Sequence, residues 1–429
     1  MPLCNLKRQG LIEDYLITDN FFHNLPDDYR FDCVWVQRVV NETICAVLAD
    51  RVKNSYLYDL DDLLVGRPSY TMTRFDHKHE WRKAVMSALC NCKLFTCTTK
   101  RLVGMLEACS GVCLSSKAVI CPNGFEFSAN LRKPGRPAGM VWTSSDFPAL
   151  IDSKDSVVNA VRRFSEKHRL PVYGFGYLRG GLDGDIPNLV ELGPIPYFHH
   201  KALLGSLPPL MGIAPLETSA QKADLDFINS KSDLKMVEFG GFGHPSVYSA
   251  APPYTESDLR CGVIAQNDES SWYEAMEMIF EKNWKVLDRE QAGVIEARNM
   301  DRIARQHWYG AIREVRMERQ LTGADFKAWF NRTNKTRRAK GLCGAAISRH
   351  RLIDWKSYDY AYHFWKEHKK NRIARQEALR TVDEVYGAPL FFVLYPLYKI
   401  SKPFRKLLRA LRSLWTESSA GKSSGTPEL

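Results

Sequence analysis

The 429-residue chain has no apolar run long enough to cross a bilayer. Its longest nearly uninterrupted one, GAPLFFVLYPLY at 387–398, has twelve residues, where about twenty are needed. No C-x2-C pair is present among its eleven cysteines. Those from Cys90 to Cys121 are separated by one, four, eleven, three and seven residues, a pattern that argues against a zinc site and for core thiols. The opening MPLCNLKRQGLIEDYL lacks an apolar core of useful length, so reduced cysteines and a cytoplasmic compartment are expected. There is no internal repeat, which argues against solenoids and propellers. No DNA- or RNA-reading motif is found, and the basic residues accompany apolar ones, so no nucleic-acid partner is expected. Hydrophobic residues at 45% and charged residues at 25% exclude wholesale disorder and a polytopic membrane protein.

The net charge of +11 is unevenly placed. From Asn331 onward there are 21 Lys+Arg against 8 Asp+Glu, which leaves 39 against 41 in the first 330 residues. A near-neutral body therefore carries a basic tail suited to an anionic surface.

Along the body, short apolar runs alternate with helical periods. DCVWVQRVV, NSYLYDLDDLL, KLFTCTT and AVIC read as strands, with HEWRKAVMSALCNC and KRLVGMLEACS as helices between them. LRKPGRPAG at 131–139 reads as a linker. A second series follows: GMVWTSS, PVYGFGYL, MGIAPLE, PSVYSA and CGVIAQ as strands, and DSVVNAVRRFSEKHR, capped by Asp152 or Ser153, among the helices. Alternation of this kind predicts α/β architecture with parallel, doubly wound sheets and ligands at the carboxyl ends of strands. The expected divisions are 1–135 and 136–300 as two α/β domains, 301–386 as a helical extension, 387–415 as an apolar and basic segment, and 416–429 as a disordered tail.

The densest constellation is INSKSDLKMVEFGGFGHPSVYS at 228–249. A loop with Ser230, Lys231 and Ser232 opens a helix whose first-turn amides and dipole favour an anion. Lys231, Lys235 and Glu238 fall on one helical face. Phosphates on the amides and lysines, with ribose hydroxyls on the glutamate, would suit a nucleotide diphosphate. The plain alternative is an amphipathic helix with solvated lysines.

APLE followed by KSDLKMVEFGGFGHPSVYSAAPP resembles the nucleotide-binding segment of the glycosyltransferase group 1 family, in the GT-B superfamily. The likeness spans about residues 32–310 and points to a branch with a Lys-Ser-Asp-Leu-Lys-x-x-Glu segment. It implies two Rossmann-like domains facing a cleft, the first shortened, with a helical C-terminal extension. Glu238 matches the family's second motif glutamate, and Ser230 stands where the first is usual. By the same resemblance, Gly193, Ile195, Pro196 and Tyr197 are candidates for base contacts, and Thr143, Ser144 and Ser145 for hydrogen bonds to the diphosphate. Arg179 is a further candidate on the donor. Lys231 and the neighbouring amides would stabilise the departing diphosphate. The donor implied by the resemblance is a nucleotide-diphosphate sugar, used as substrate, with no other cofactor and no metal expected. The acceptor implied is a lipid-linked saccharide or a polysaccharide precursor of a bacterial cell envelope.

Asp59, Asp61 and Asp62 form DLDD at a strand end. Three readings stand: a carboxylate that activates or positions the acceptor, a metal clamp of the GT-A type, or a helix-capping cluster. His77 and His79 follow in a polar loop. In the tail, SKPFRKLLRALRSLW sets Phe404, Leu407, Leu408, Leu411, Leu414 and Trp415 on one helical face and Arg405, Lys406, Arg409 and Arg412 on the other. With the adjacent apolar run this predicts a segment, 387–415, lying against an anionic membrane surface, so that the protein sits peripherally on the inner membrane. The rival expectation is a non-catalytic membrane- or polyanion-binding protein with a degenerate transferase fold.

Overall fold

The computed structural model describes residues 2–339 except 18–24, 39–41, 66–77, 127–134, 145–149, 151, 177–185, 194–196 and 282–283. The tail segments read from the sequence, including 387–415, lie outside the described residues. The described strands are β1 (Arg30–Phe31), β2 (Trp35–Gln37), β3 (Leu57–Leu60), β4 (Leu94–Cys97), β5 (Ala118–Ile120) and β6 (Met140–Ser144). They continue with β7 (Val172–Gly176), β8 (Leu189–Gly193), β9 (Met211–Ala214), β10 (Ser246–Ser249), β11 (Val263–Ala265) and β12 (Leu321–Thr322). The chain is an α/β protein with two parallel, Rossmann-like sheets.

The first sheet runs β2-β3-β4-β5, all parallel. Each crossover steps the same way, so right-handed connections put the helices Glu42–Arg51, Lys78–Asn91 and Lys100–Ser110 on one face. There Leu48, Ala88 and Leu106 pack with Tyr58, Leu60 and Phe95. The period-2 alternation of β3 sends Leu57 to the opposite face, where it meets Leu94, Leu6, Ile303 and Ile312. That second layer is therefore built from the two ends of the described chain, by the helix Pro2–Arg8 and by residues beyond 300. Trp308, in a π-helical turn Ala304–Trp308, stacks on Trp35 with centroids 4.3 Å apart. β1 and β12 add a short antiparallel pairing of Arg30 with Thr322.

The second sheet has the order β11-β10-β9-β6-β7-β8. The chain starts at the centre with β6, winds out through β7 and β8, then returns to the other side of β6 and winds out through β9, β10 and β11. The reversal between β6 and β9 is the place where a doubly wound sheet opens a crevice for ligand. The helices Lys154–His168 and Glu269–Glu281 bury Val157, Phe164, Trp272 and Met276 against Trp142 and Ile213. The helix Leu234–Gly241, crossing from β9 to β10, packs close to the sheet because Gly212 has no side chain. A Cβ there would lie 2.1 Å from Ser246 Oγ and 2.6 Å from Phe239.

Candidate functional site

The register of the first sheet sets Gln37, Asp59 and Thr96 side by side on three neighbouring strands. Their side chains share a face, so Thr96 Oγ1 donates to Asp59 Oδ1 at 2.8 Å and Gln37 Nε2 to Oδ2 at 3.2 Å. Asp59 is 7% exposed. Burial pushes its carboxyl up to about 7, against the two hydrogen bonds that favour the charged form. The next two carboxylates take other places. Arg38, on a left-handed backbone with φ 56°, pairs through Nε with Asp61 at 3.1 Å and through Nη2 with Asp62 at 2.7 Å. Burial also raises the Asp61 carboxyl. The DLDD motif thus splits into a tie between strands, Asp59, and two outward carboxylates held by one arginine.

In the second sheet, the helix Lys154–His168 follows β6, and the two amides just before it are engaged. Glu217, fully buried just beyond β9, accepts from Asp152 N at 2.8 Å, Ser153 N at 3.0 Å and Ser153 Oγ at 2.5 Å. It also accepts from Thr218 N and Ser219 N. Of the two residues expected to cap this helix, Ser153 takes the N-cap position but makes no side-chain cap bond, and its amide and hydroxyl go instead to a carboxylate 64 positions away. A carboxylate of the chain therefore sits beside the residues that lead into this helix.

The start of Leu234–Gly241 is different. Its N-cap Asp233 makes no side-chain cap bond. Its carboxylate instead accepts from Ser257 Oγ at 2.6 Å and from Arg298 Nη2 at 2.8 Å, and Arg298, 4% exposed, also pairs with Asp258. Arg298 lies where the chain returns to the first lobe: Phe125 N donates to its carbonyl and Met300 N to the Phe125 carbonyl. This network fixes the Lys231–Asp233 loop against the junction of the lobes.

Around the loop, Lys235 Nζ contacts Glu238 Oε2 at 2.8 Å, with Glu238 buried. Lys231 Nζ sits 4.5 Å from the Phe227 ring centre and 3.6 Å from Asp62 Oδ1 in the first lobe. Ser232 Oγ accepts from Asn123 Nδ2, just beyond β5, at 2.6 Å. Ser230 is buried and donates to the Phe227 carbonyl at 2.8 Å, closing a helix Lys222–Asn229. Lys201 lies over the Phe125 ring at 4.1 Å, and burial lowers its pKa.

Thr143 and Ser144 end β6. Thr143 Oγ1 is buried with no hydrogen-bond partner among the described residues. Gly176, next to Ser144 in register, has φ +104°, and a Cβ there would lie 1.6 Å from the Ser144 carbonyl oxygen, so only glycine fits. The side chain of Tyr197, which opens the helix Tyr197–Ser206, and the residues Ser145, Arg179, Ile195, Pro196 and His77 lie outside what is described, as does the His79 side chain. Sequence reasoning missed Arg38, Asn123, His200, Glu217 and Arg298. The last two act across 64 and 65 positions, and no local pattern marks them. Among the described residues, no three His, Cys, Asp or Glu side chains gather as a metal site, and no helix is long and apolar enough to cross a membrane. The buried Cys92, Cys97 and Cys261 thiols are pushed up to about 11, 12 and 12 by desolvation, as inert core thiols are.

No family model matches the sequence, and no curated protein sequence matches it. Among solved structures, Anabaena HepE in complex with UDP-glucose aligns with 62% of this chain and 74% of its own at 14% identity, with a TM-score of 0.45. A glycosyltransferase from Rickettsia africae aligns with 66% and 77% at 12% identity and a TM-score of 0.44. An α,α-trehalose 6-phosphate synthase from Burkholderia multivorans aligns with 68% and 73% at 15% identity and a TM-score of 0.43. Likeness at this level assigns no residue of this chain a role.

Proposed function

We propose that the protein is a glycosyltransferase of the GT-B type, which moves a sugar from a nucleotide diphosphate to a hydroxyl of a lipid-linked saccharide or cell-surface polysaccharide precursor without a metal. One observation carries this reading. Lys231 lies in the loop before the crossover helix Leu234–Gly241, not on its face as the spacing predicts, Lys235 and the buried Glu238 lie within the helix, and Lys231 faces the acidic end of β3 in the other lobe. Lysines and first-turn amides suit a diphosphate, and Glu238 suits the vicinal hydroxyls of a ribose. Because the Glu217 carboxylate lies beside the residues that lead into Lys154–His168 and would repel a second anion there, the start of Leu234–Gly241 is the better place for the anion.

In the reaction the acceptor oxygen forms a bond to the anomeric carbon. The bond from that carbon to the diphosphate breaks, and the diphosphate keeps the electron pair. The transition state resembles an oxocarbenium ion, so the larger demand is for positive charge beside the leaving group. Lys231 meets it by exchanging Asp62 for the diphosphate. The acceptor's proton passes to Asp61 or Asp62. Residues 387–415 hold the protein at an anionic inner-membrane surface, where such an acceptor is found; their apolar and basic pattern supports this.

The test is a thermal-shift screen of UDP, GDP, ADP and CDP and their sugar conjugates, with and without Mg²⁺, on wild type and Glu238→Ala. One nucleotide at a hundred times its Kd stabilises by about 2.7 kcal/mol, independently of Mg²⁺ and not in the variant. No shift with any nucleotide refutes the reading.

A further inference from the structure

Two buried polar atoms near the carboxyl ends of β6–β8 have no hydrogen-bond partner among the described residues: Thr143 Oγ1 and His200 Nε2. They come from different elements and converge on one ring. Thr143 is the register partner of Phe175 in β7, so the two side chains stand next to each other on one face of the sheet. His200, from the helix Tyr197–Ser206, meets the same Phe175 ring edge to face, with centroids 5.2 Å apart. The charged groups that act on the imidazole are Lys235 and Glu238.

Folded proteins rarely leave a buried polar side chain without a partner. Two beside one aromatic ring, next to a lysine and glutamate already read as ligand-binding, indicate groups that bond something no described residue supplies. We propose that His200, with Thr143 beside it, contacts the nucleoside end of the donor: Nε2 makes a hydrogen bond to a ribose hydroxyl or base edge, next to Glu238, while Lys231 and Lys235 serve the diphosphate. This inference rests on the nucleotide reading of the site above.

The chemistry favours the nucleoside over the phosphates. Burial, and Lys235 beside it, hold the imidazole well below its ordinary value, to about 4, so it stays neutral. A neutral ring adds no charge against a phosphate but makes one good hydrogen bond to a hydroxyl or base. The Phe175 edge fixes its orientation.

Removing an unpartnered buried nitrogen is not expected to harm the fold, because an apolar side chain of similar size leaves nothing unsatisfied. That separates a ligand role from a structural one. The experiment is calorimetric titration of UDP, GDP, ADP, CDP and inorganic pyrophosphate into wild type, His200→Leu and His200→Gln, with the melting temperature of each. With the nucleotide that wild type binds best, His200→Leu is expected to lose about tenfold in affinity, as for one hydrogen bond. Pyrophosphate binding and melting temperature stay at wild-type values or above, and His200→Gln recovers part of the loss. Nucleotide affinity within twofold of wild type in His200→Leu overturns the inference, and is the result expected if a water alone meets Nε2. An equal loss of pyrophosphate binding also overturns it. If His200→Leu fails to fold, the assignment of His200 as a ligand group is wrong and the ring is structural. If wild type binds no nucleotide, the nucleotide reading itself fails, and this inference with it.

Discussion

Lys231 Nζ, on the second lobe, lies 3.6 Å from Asp62 Oδ1 on the first. Both side chains keep about a quarter of their surface in water, at 30% and 24%. The pair is therefore weak, of the order of 1 kcal/mol or less, and on the proposed function a diphosphate would displace the carboxylate. Arg38 holds Asp62 from its own side, so the carboxylate stays placed when the lysine leaves.

The two partners are expected to differ in sign. Lys231→Ala removes a cation from the diphosphate and lowers nucleotide-diphosphate affinity by about 10- to 100-fold, as for a charge-assisted hydrogen bond. Asp62→Asn removes a competitor and raises that affinity by up to about fivefold. Titration calorimetry on both variants checks this. A matched loss in the two would mean that the pair is only structural.

Asp59 makes stability depend on pH. Its raised carboxyl pKa means that the folded chain holds the proton more tightly than the unfolded chain does. Unfolding releases it between the ordinary value near 4 and about 7, so stability falls as pH rises through that window. Asp59→Asn keeps an acceptor for Thr96 and removes the ionisation. Urea melts of both at pH 5 and pH 8 are expected to show the variant gaining on wild type as pH rises; the lowered His200 imidazole acts in the opposite sense in both proteins and cancels in the comparison. At pH 8 the variant should be the more stable by on the order of 2–4 kcal/mol.

Glu217→Ala strands the Asp152 and Ser153 amides and the Ser153 hydroxyl, all of which point at its carboxylate. A loss of about 2–4 kcal/mol is expected in urea unfolding, with Glu217→Gln milder. A change under 0.5 kcal/mol, the size of an ordinary surface substitution, would show that the helix start is satisfied in another way.

Deleting residues 387–429 is expected to abolish sedimentation with vesicles containing anionic phosphatidylserine and leave nucleotide-induced thermal shifts unchanged. Equal binding with and without the segment would remove it as the anchor.

The sequence by itself determined the two series of strands and crossover helices, because burial on both faces imposes apolar runs and amphipathic periods that are local. It also marked the loop at Lys231 and the acidic end of β3, because a lysine pair with a glutamate two turns along, or three aspartates at a strand end, are local patterns too. Only the tertiary structure decided what those groups face. Register made Asp59 a tie between strands while Asp61 and Asp62 turned outward. The winding of the second sheet brought Glu217 to the residues that lead into Lys154–His168. The return of the chain past residue 298 set Arg298 behind Asp233 and closed the first sheet's second face. Each is a contact between residues tens to hundreds of positions apart. Its energy depends on burial and on the geometry of both partners, and a chain read one segment at a time contains neither.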